Sequence, residues 1–307
     1  MFTFILKRLA WMALTLWVVF TISFFLMRSV PGGPFSRERQ LDPQIEANLL
    51  ARYNLDAPLF DQYCQSLWDI CHGDLGCSFT RTDFTVNDII AQGLPISITL
   101  GLLALFLAMV LGVSAGIVSA VFRSSPLDGV LMTLATVGIA LPDFVLASLL
   151  IIAFVFLIPV FPVAGCGTPV HLILPAFCLG APYAAYIARL TRTGMLDVLG
   201  QDYIRTAYAK GLAARTVIFR HALRSAMLPV VSFLGPAVAG ILTGSLVIEQ
   251  IFFIPGLGTH FVEAAIQRDY TLAMGMVLLY TFLLYMMNLI VDVAYAIIDP
   301  RIADQMR

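Results

Sequence analysis

The chain has 307 residues, 60% of them hydrophobic and only 12% charged, with a formal net charge of −1 and a mean hydropathy of +0.90. A soluble globular domain carries about 25% charged residues; this chain has too little polar surface to coat a particle in water and reads as an integral membrane protein. Its only lysines are Lys7 and Lys210, and neither follows a glycine, so it holds no P-loop for nucleotide phosphates.

A helix needs about 20 mostly apolar residues to cross a hydrocarbon core of about 30 Å. In chain order, such stretches are Leu9–Met27, Ile96–Val121, Leu131–Val160, His171–Leu190, Leu228–Val247 and Thr271–Ile297. The expected fold is an all-α polytopic membrane protein of six transmembrane helices. Pro142 is expected to kink the third, and Pro175 and Pro236 the fourth and fifth. The first stretch is an anchor rather than a cleaved signal. Its apolar run of about 19 residues exceeds the 7–15 of a signal peptide, and Arg28-Ser29-Val30-Pro31-Gly32-Gly33 offers no small-x-small cleavage site.

Orientation follows from the basic residues of the short loops. With the N-terminus in the cytoplasm, Lys7, Arg8, Arg123, Arg189, Arg192, Arg205, Lys210, Arg215, Arg220, Arg224, Arg301 and Arg307 fall inside. Arg28, Arg37, Arg39, Arg52, Arg81 and Arg268 fall outside, which fits the positive-inside rule with both termini in the cytoplasm. The expected organisation is residues 1–28 as N-terminus and first helix and 29–95 as a partly helical extracytoplasmic loop domain. Residues 96–300 form a five-helix core with a cytoplasmic loop at 191–227, and 301–307 a cytoplasmic tail. Cys64, Cys71 and Cys77 lie in the outer domain and Cys166 in the next outer loop, where an oxidising compartment permits disulfides. A metal site with His72 beside Cys71 is the rival reading, although the spacings fit no zinc pattern. Cys178 reads as a small buried hydrophobe in the fourth helix.

The loop 191–227 is the most distinctive segment. Asp202 is placed to cap a short helix, and Gly211 to end it in a left-handed turn. A second, basic helix follows from Ala213 to Ala226. By spacing alone, a solvated basic loop satisfying the positive-inside rule explains the segment equally well.

The residues themselves go further. Tyr203-Ile204-Arg205-Thr206-Ala207-Tyr208-Ala209-Lys210-Gly211-Leu212, followed by Arg220-His221-Ala222-Leu223-Arg224 and Leu228-Pro229, resembles the EAA-type coupling loop of binding-protein-dependent ABC importers. Arg205 stands where the general motif has glutamate, and the stretch from Gly211 to Pro229 is longer than in sugar-type importers; both features resemble the peptide and nickel subgroup. Phe4-Ile5-Leu6-Lys7-Arg8, Arg28 through Phe35, Tyr53 through Leu59, Gly73-Asp74-Leu75-Gly76, Gly244 through Phe252, Pro255-Gly256-Leu257-Gly258 and Asp299-Pro300-Arg301 extend the likeness to the B-type permeases of oligopeptide and dipeptide importers.

The resemblance implies a permease subunit in a bacterial inner membrane, paired with a second homologous permease and two cytoplasmic ABC ATPases, and served by an extracytoplasmic peptide-binding protein. Nickel or another small solute is the alternative cargo. It further implies that Asp202, Tyr203, Arg205, Thr206, Ala207, Lys210, Gly211 and Leu212 form the ATPase-coupling site. This subunit would hold no cofactor or metal, ATP and Mg being used by the partner ATPases, and it would bind lipid and no nucleic acid.

Ionisable residues within a membrane raise a functional question by default. Asp143, directly after Pro142, and Glu249, near the outer end of the fifth stretch, are the candidates for a pathway or gate. For Asp143 the alternative is a local role, bonding backbone freed by Pro142 or packing at the permease interface; for Glu249 it is a chance rim carboxylate. Asp292 reads as structural. An intramembrane aspartyl protease would need Asp143 and Asp292 to face each other, yet their expected depths differ. No His-Glu-x-x-His helix occurs, no Gly-x-Ser-x-Gly run stands at a strand-to-helix turn, and His72, His171, His221 and His260 are scattered. A stand-alone secondary transporter is the stronger rival, but no repeat relates the two halves.

Overall fold

The computed structural model describes residues 2–29, 56–81, 83–162, 165–242 and 246–298. The motif residues Val30–Phe35, Tyr53–Leu55, Gly244-Ser245 and Asp299-Pro300-Arg301 lie outside these ranges, as does the tail 301–307. Among the described residues, four helices are each long and apolar enough to cross a membrane: Phe4–Ser29, Val86–Val121, Val170–Leu199 and Tyr270–Val293. Two bent pairs pass the same criterion only when each pair is taken together. The chain is thus a multi-pass helical membrane protein.

The chain divides into two compact units, Met1–Ile96 with Gly256–Tyr285, and Ser97–Pro255 with Met286–Arg307. The first unit contains α1 (Phe2–Ser29), α2 (Leu59–Cys71), the start of α3 (Val86–Val121), and two later helices, α11 (Leu257–Gln267) and the beginning of α12 (Tyr270–Ile298). Val86, Ile89, Leu257, Ala264, Leu272 and Met276 form one core of this unit. Phe20 and Phe24 of α1 pack with Met274 and Leu278 in another.

A buried acid organises one end of this unit. Asp269 is fully buried and caps α12, its Oδ1 accepting the Leu272 N–H at 3.0 Å. Its Oδ2 accepts the hydroxyls of Ser78 at 2.5 Å and Thr80 at 2.9 Å and the Thr80 N–H at 3.1 Å. The loop leading to Ser78 depends on glycine: Gly73 and Gly76 take φ of +82° and +84°, a conformation costly for other residues. Asn87 closes that loop, donating to the Gly73 carbonyl at 2.6 Å and accepting from the Leu75 N–H at 3.2 Å. Cys64, Cys71, Cys77 and Cys166 are exposed free thiols, with no disulfide among them.

The second unit contains the rest of α3, α4 (Pro126–Ala140), α5 (Asp143–Ile151, prolonged by a π-helical turn to Leu157) and α6 (Val170–Leu199). It continues through α7 (Asp202–Ala209), α8 (Ala214–Ala226, with a π-helical middle at Val217–Ala222), α9 (Leu228–Leu242) and α10 (Leu246–Ile251). Helix α6 is the hub against which α4, α8 and α9 pack. Its crossing with α3 depends on small residues: a Cβ on Gly112 would stand 2.6 Å from the Ala184 carbonyl oxygen, and one on Gly116 2.5 Å from the Thr191 Cβ. Such backbone proximity is the usual device for holding membrane helices together, where no hydrophobic drive separates helix from lipid.

Three sequence expectations need correction. The third stretch is not one kinked helix: α4 and the α5 segment meet at 113°. Leu141 is extended (φ −79°, ψ 128°), as a residue before proline prefers, and Pro142 becomes the N-cap of α5. By contrast, α6 and α9 continue through Pro175 and Pro236 without a break. The fourth helix runs on to Leu199, so Thr191–Leu199 is helix rather than loop, with Thr191, Gly194 and Met195 buried. The fifth stretch is a bent pair, Ala214–Ala226 with Leu228–Ile241 at 54°, and the bend falls at Met227, one residue before Leu228-Pro229.

Candidate functional site around the 202–226 turn

The sequence Asp202–Ala209 folds as an amphipathic helix because its apolar residues recur at helical spacing. Ile204 (1% exposed) and Ala207 (7%) point inward and join Ala120 of α3, Met195 of α6, and Val217, Ala222 and Ala226 of α8 in one apolar cluster. Gln201, with extended backbone, occupies the N-cap position, so Asp202 is the first helical residue rather than the cap. Asp202 still suits that place, since a negative charge in the first turn complements the helix dipole.

The far end is a glycine-terminated turn. Gly211 takes φ +78°, its N–H donates to the Tyr208 carbonyl at 2.9 Å, and the Leu212 N–H donates to the Ala207 carbonyl at 3.3 Å. These two bonds make a Schellman closure, which satisfies the last carbonyls and redirects the chain into α8. Nothing lies within 4 Å of where a Gly211 Cβ would stand, so the demand for glycine comes from backbone conformation and not from space.

The remaining predicted site residues lie outward. Tyr203 (47%) and Tyr208 (45%) are exposed, as are Thr206, Lys210 and Leu212. Arg205 makes only a long 3.6 Å contact with Asp202, both side chains being largely solvent-exposed, and an exposed pair of that kind contributes little. Phe219 of α8 adds a further exposed ring. The segment therefore presents Tyr, Arg and apolar side chains on a helix held from behind, a composition typical of protein interfaces. Ile204, the most buried residue of α7, was absent from the predicted set; the Ile204–Ala207 spacing of three was its signal.

The support behind this helix is closely packed. Gly194 of α6 would place a Cβ 2.5 Å from the Ala226 carbonyl oxygen, so α6 and α8 touch backbone to backbone. Arg192 of α6 forms a two-pronged pair with Asp128 of α4, Nε to Oδ1 and Nη2 to Oδ2, each at 2.8 Å. The same carboxylate accepts the Ser119 hydroxyl and, at 2.9 Å, the N–H of Ser124, a left-handed residue with φ +63°. Ser125 caps α4 by accepting the Asp128 N–H. Beside this pair opens a cavity of about 450 Å³ that also exposes Arg189 and Thr193. Ser125-Pro126-Leu127-Asp128 is a legible helix start, whereas its pairing with Arg192 is tertiary.

The two pathway candidates lie elsewhere in the same unit. Asp143 opens α5 immediately after the break, is half-buried, and accepts no side-chain hydrogen bond from the described residues. Glu249 on α10 is fully buried and accepts the Ser97 hydroxyl at 2.8 Å, so it is not a rim carboxylate. Helix α10 packs against α5 and α6.

Comparison with known proteins gives a consistent picture. A family model described as "Binding-protein-dependent transport system inner membrane component" matches residues 112–304. The chain is 46% identical to the oligopeptide transport system permease protein OppB of Escherichia coli K12 over 304 residues, 98% of this chain and 99% of that protein. It is 45% identical to the dipeptide transport system permease protein DppB of Bacillus subtilis over 299 residues, 97% of each chain. To DppB of Lactococcus lactis it is 39% identical over 302 residues, 98% of this chain and 99% of that one.

Proposed function

The chain belongs to the family of binding-protein-dependent transport system inner membrane components, and on that footing we propose that it is one permease subunit of an ATP-driven ABC importer of oligopeptides or dipeptides. It has six spans with both termini in the cytoplasm of a bacterium, each bent pair counting as one. It forms half of a translocation pathway with a second, homologous permease, receives cargo from an extracytoplasmic peptide-binding protein, and docks on two cytoplasmic ATPases. ATP and Mg act in those ATPases, and this subunit binds no cofactor. The observation that carries the reading is α7: a short helix anchored by Ile204 and Ala207 and bare on its Tyr203, Arg205 and Tyr208 side. Movement of an ATPase against that side would be passed to α6 and α8 through the apolar cluster behind it. Asp143 and Glu249 are the candidate pathway or gate residues. Nickel or another small solute is the alternative cargo, since selectivity in such systems rests largely with the binding protein.

The test is affinity purification of the tagged subunit, expressed with its neighbours, in mild detergent, with mass spectrometry of what accompanies it. A second multi-span permease and soluble ATPases should be recovered. Arg205→Glu combined with Gly211→Val should release the ATPases while retaining the second permease. A solitary protein that moves solute across liposomes without ATP would sink the proposal and favour a secondary carrier.

A further inference from the structure

Helix α2 is divided along its length. At about 100° per residue, Leu59, Phe60, Tyr63, Cys64, Leu67 and Trp68 fall on one half-circle, and Asp61, Gln62, Gln65 and Asp69 on the other. At thirteen residues, it is too short to cross a bilayer, which takes about 20.

The protein covers only part of the apolar half. Tyr63, Leu67 and Ile70 pack onto the cluster formed by Phe20 and Phe24 of α1 with Met274 and Leu278 of α12. The Tyr63 ring stacks on Phe25 at 5.8 Å, and its hydroxyl pairs with that of Thr21 at 2.9 Å. At the polar edge, the buried Gln62 accepts two hydrogen bonds from Arg28, at 3.0 and 2.9 Å, while the Arg28 guanidinium lies 3.6 Å over the Phe24 ring. The next quadrant of the helix is bare: Phe60 is 74% exposed and Trp68 67%, with exposed Cys64 between them.

Depth decides what faces that quadrant. Thr21 precedes Arg28 by about 10 Å along α1, at 1.5 Å per residue. Because Phe4–Ser29 is long and apolar enough to span, the Tyr63 contact falls within the thickness of the bilayer. Ile22, Phe25 and Leu26 form an exposed apolar surface of that helix there. The Tyr63–Phe25 stack makes the bare flank of α2 continuous with it.

We propose that α2 is an interfacial helix, seated in the leaflet at the Arg28 end with Phe60, Cys64 and Trp68 among lipid chains and Asp61 and Gln65 toward water. In the orientation proposed above this is the outer leaflet, but the inference rests only on α1 spanning the membrane. An amphipathic helix with an aromatic residue at the boundary suits that place. The occupant is the apolar part of the lipid rather than its charge: α2 carries Asp61 and Asp69 and no basic residue, so attraction to anionic headgroups contributes nothing. The helix would thereby fix the height of the loop domain above the membrane.

The assembled transporter, reconstituted in phosphatidylcholine vesicles, provides the test. Single-cysteine variants carry a spin label at native Cys64, or at Phe60→Cys, Trp68→Cys, Asp61→Cys and Gln65→Cys, and collisions with oxygen and with a water-soluble nickel chelate are compared. Labels at 60, 64 and 68 should favour oxygen, those at 61 and 65 the chelate, and the pattern should persist in 0.5 M salt. Native Cys64 keeps the test valid if another variant fails to assemble. Access of the chelate at all five positions, or shielding of 60, 64 and 68 from both reagents by residues 30–55 or another subunit, would overturn the proposal. Neither result bears on transport function, so its failure is separable from that of the importer reading.

Discussion

At the scale of single residues, Gly211 is the sharpest case because the reason for it is isolated. Its φ of +78° needs a residue that tolerates the left-handed region, while the space around it is open. A residue with a Cβ costs roughly 1–2 kcal/mol in that conformation, and β-branching makes it worse. Gly211→Val should therefore open the turn between α7 and α8 and lower the ratio of cargo imported to ATP hydrolysed in proteoliposomes. Gly211→Asn, which accepts the left-handed region, should restore most of that ratio. Equal ratios for glycine, valine and asparagine would show that the angle of this turn does not matter. The conformation of this glycine was legible in the sequence, because the residues before it form a helix and glycine is the residue that most readily ends one in this way. Asp202 was misplaced by one residue because Asp caps and Asp first-turn residues both stabilise a helix start, and only the backbone of Gln201 distinguishes them. Asp269 left a weaker trace, an aspartate just before a long apolar run; its bonds to Ser78 and Thr80 join residues far apart in sequence.

At the scale of elements, α7 is a short helix whose position depends on tertiary burial. Eight residues are too few to hold a helix in water by themselves, so Ile204 and its cluster supply what local propensity does not. Ile204→Ala should cost about 2–5 kcal/mol, the usual range for emptying a well-packed core site. It should appear as faster amide hydrogen exchange across 202–212 together with weaker ATPase recovery, even though every exposed residue of α7 is intact. Unchanged exchange would mean that the helix is held by something other than its buried face. The same contrast explains which elements could be read in advance. Helices α1, α3, α6 and α12 announce themselves because hydropathy alone marks a span. The end of α6 was missed because Thr191, Arg192, Thr193 and Asp197 lower the hydropathy, while its helical burial pattern at Thr191, Gly194 and Met195 persists. Proline was an ambiguous sign. Pro142 ends α4 and starts α5, whereas Pro175, Pro182 and Pro236 sit inside continuous helices, since in a bundle neighbouring groups can satisfy the carbonyl that proline frees.

At the scale of the whole molecule, the proposed function requires that a push on α7 arrive somewhere, and the packing of the Ser97–Pro255 unit offers a route for it. Helix α7 rests on Met195 of α6 and Ala120 of α3, α6 meets α8 through Gly194, and α4 is tied to α6 by Asp128 and Arg192. The α3–α6 crossing completes the chain of contacts. Its Gly112-Val113-Ser114-Ala115-Gly116 spacing is the small-xxx-small pattern of close helix approach, a signal present in the sequence that hydropathy alone does not reveal. If stiffness at this crossing carries the motion, Gly116→Val should be severe. Its first new carbon would stand 2.5 Å from the Thr191 Cβ and 2.6 Å from the Ala188 carbonyl oxygen, and because the latter is backbone, relief requires the helices to part. The variant should lose thermal stability in detergent and uncouple whatever ATPase it still binds. Gly129→Ala is the matched control: that glycine has nothing within 4 Å of its missing Cβ, and alanine in a helix interior is favoured over glycine by about 1 kcal/mol. It should therefore be at least as stable as the parent and fully coupled. Were Gly116→Val to retain both stability and coupling, α3 and α6 would have room to slide, and the push on α7 would have to reach the pathway through α8 and α9 instead.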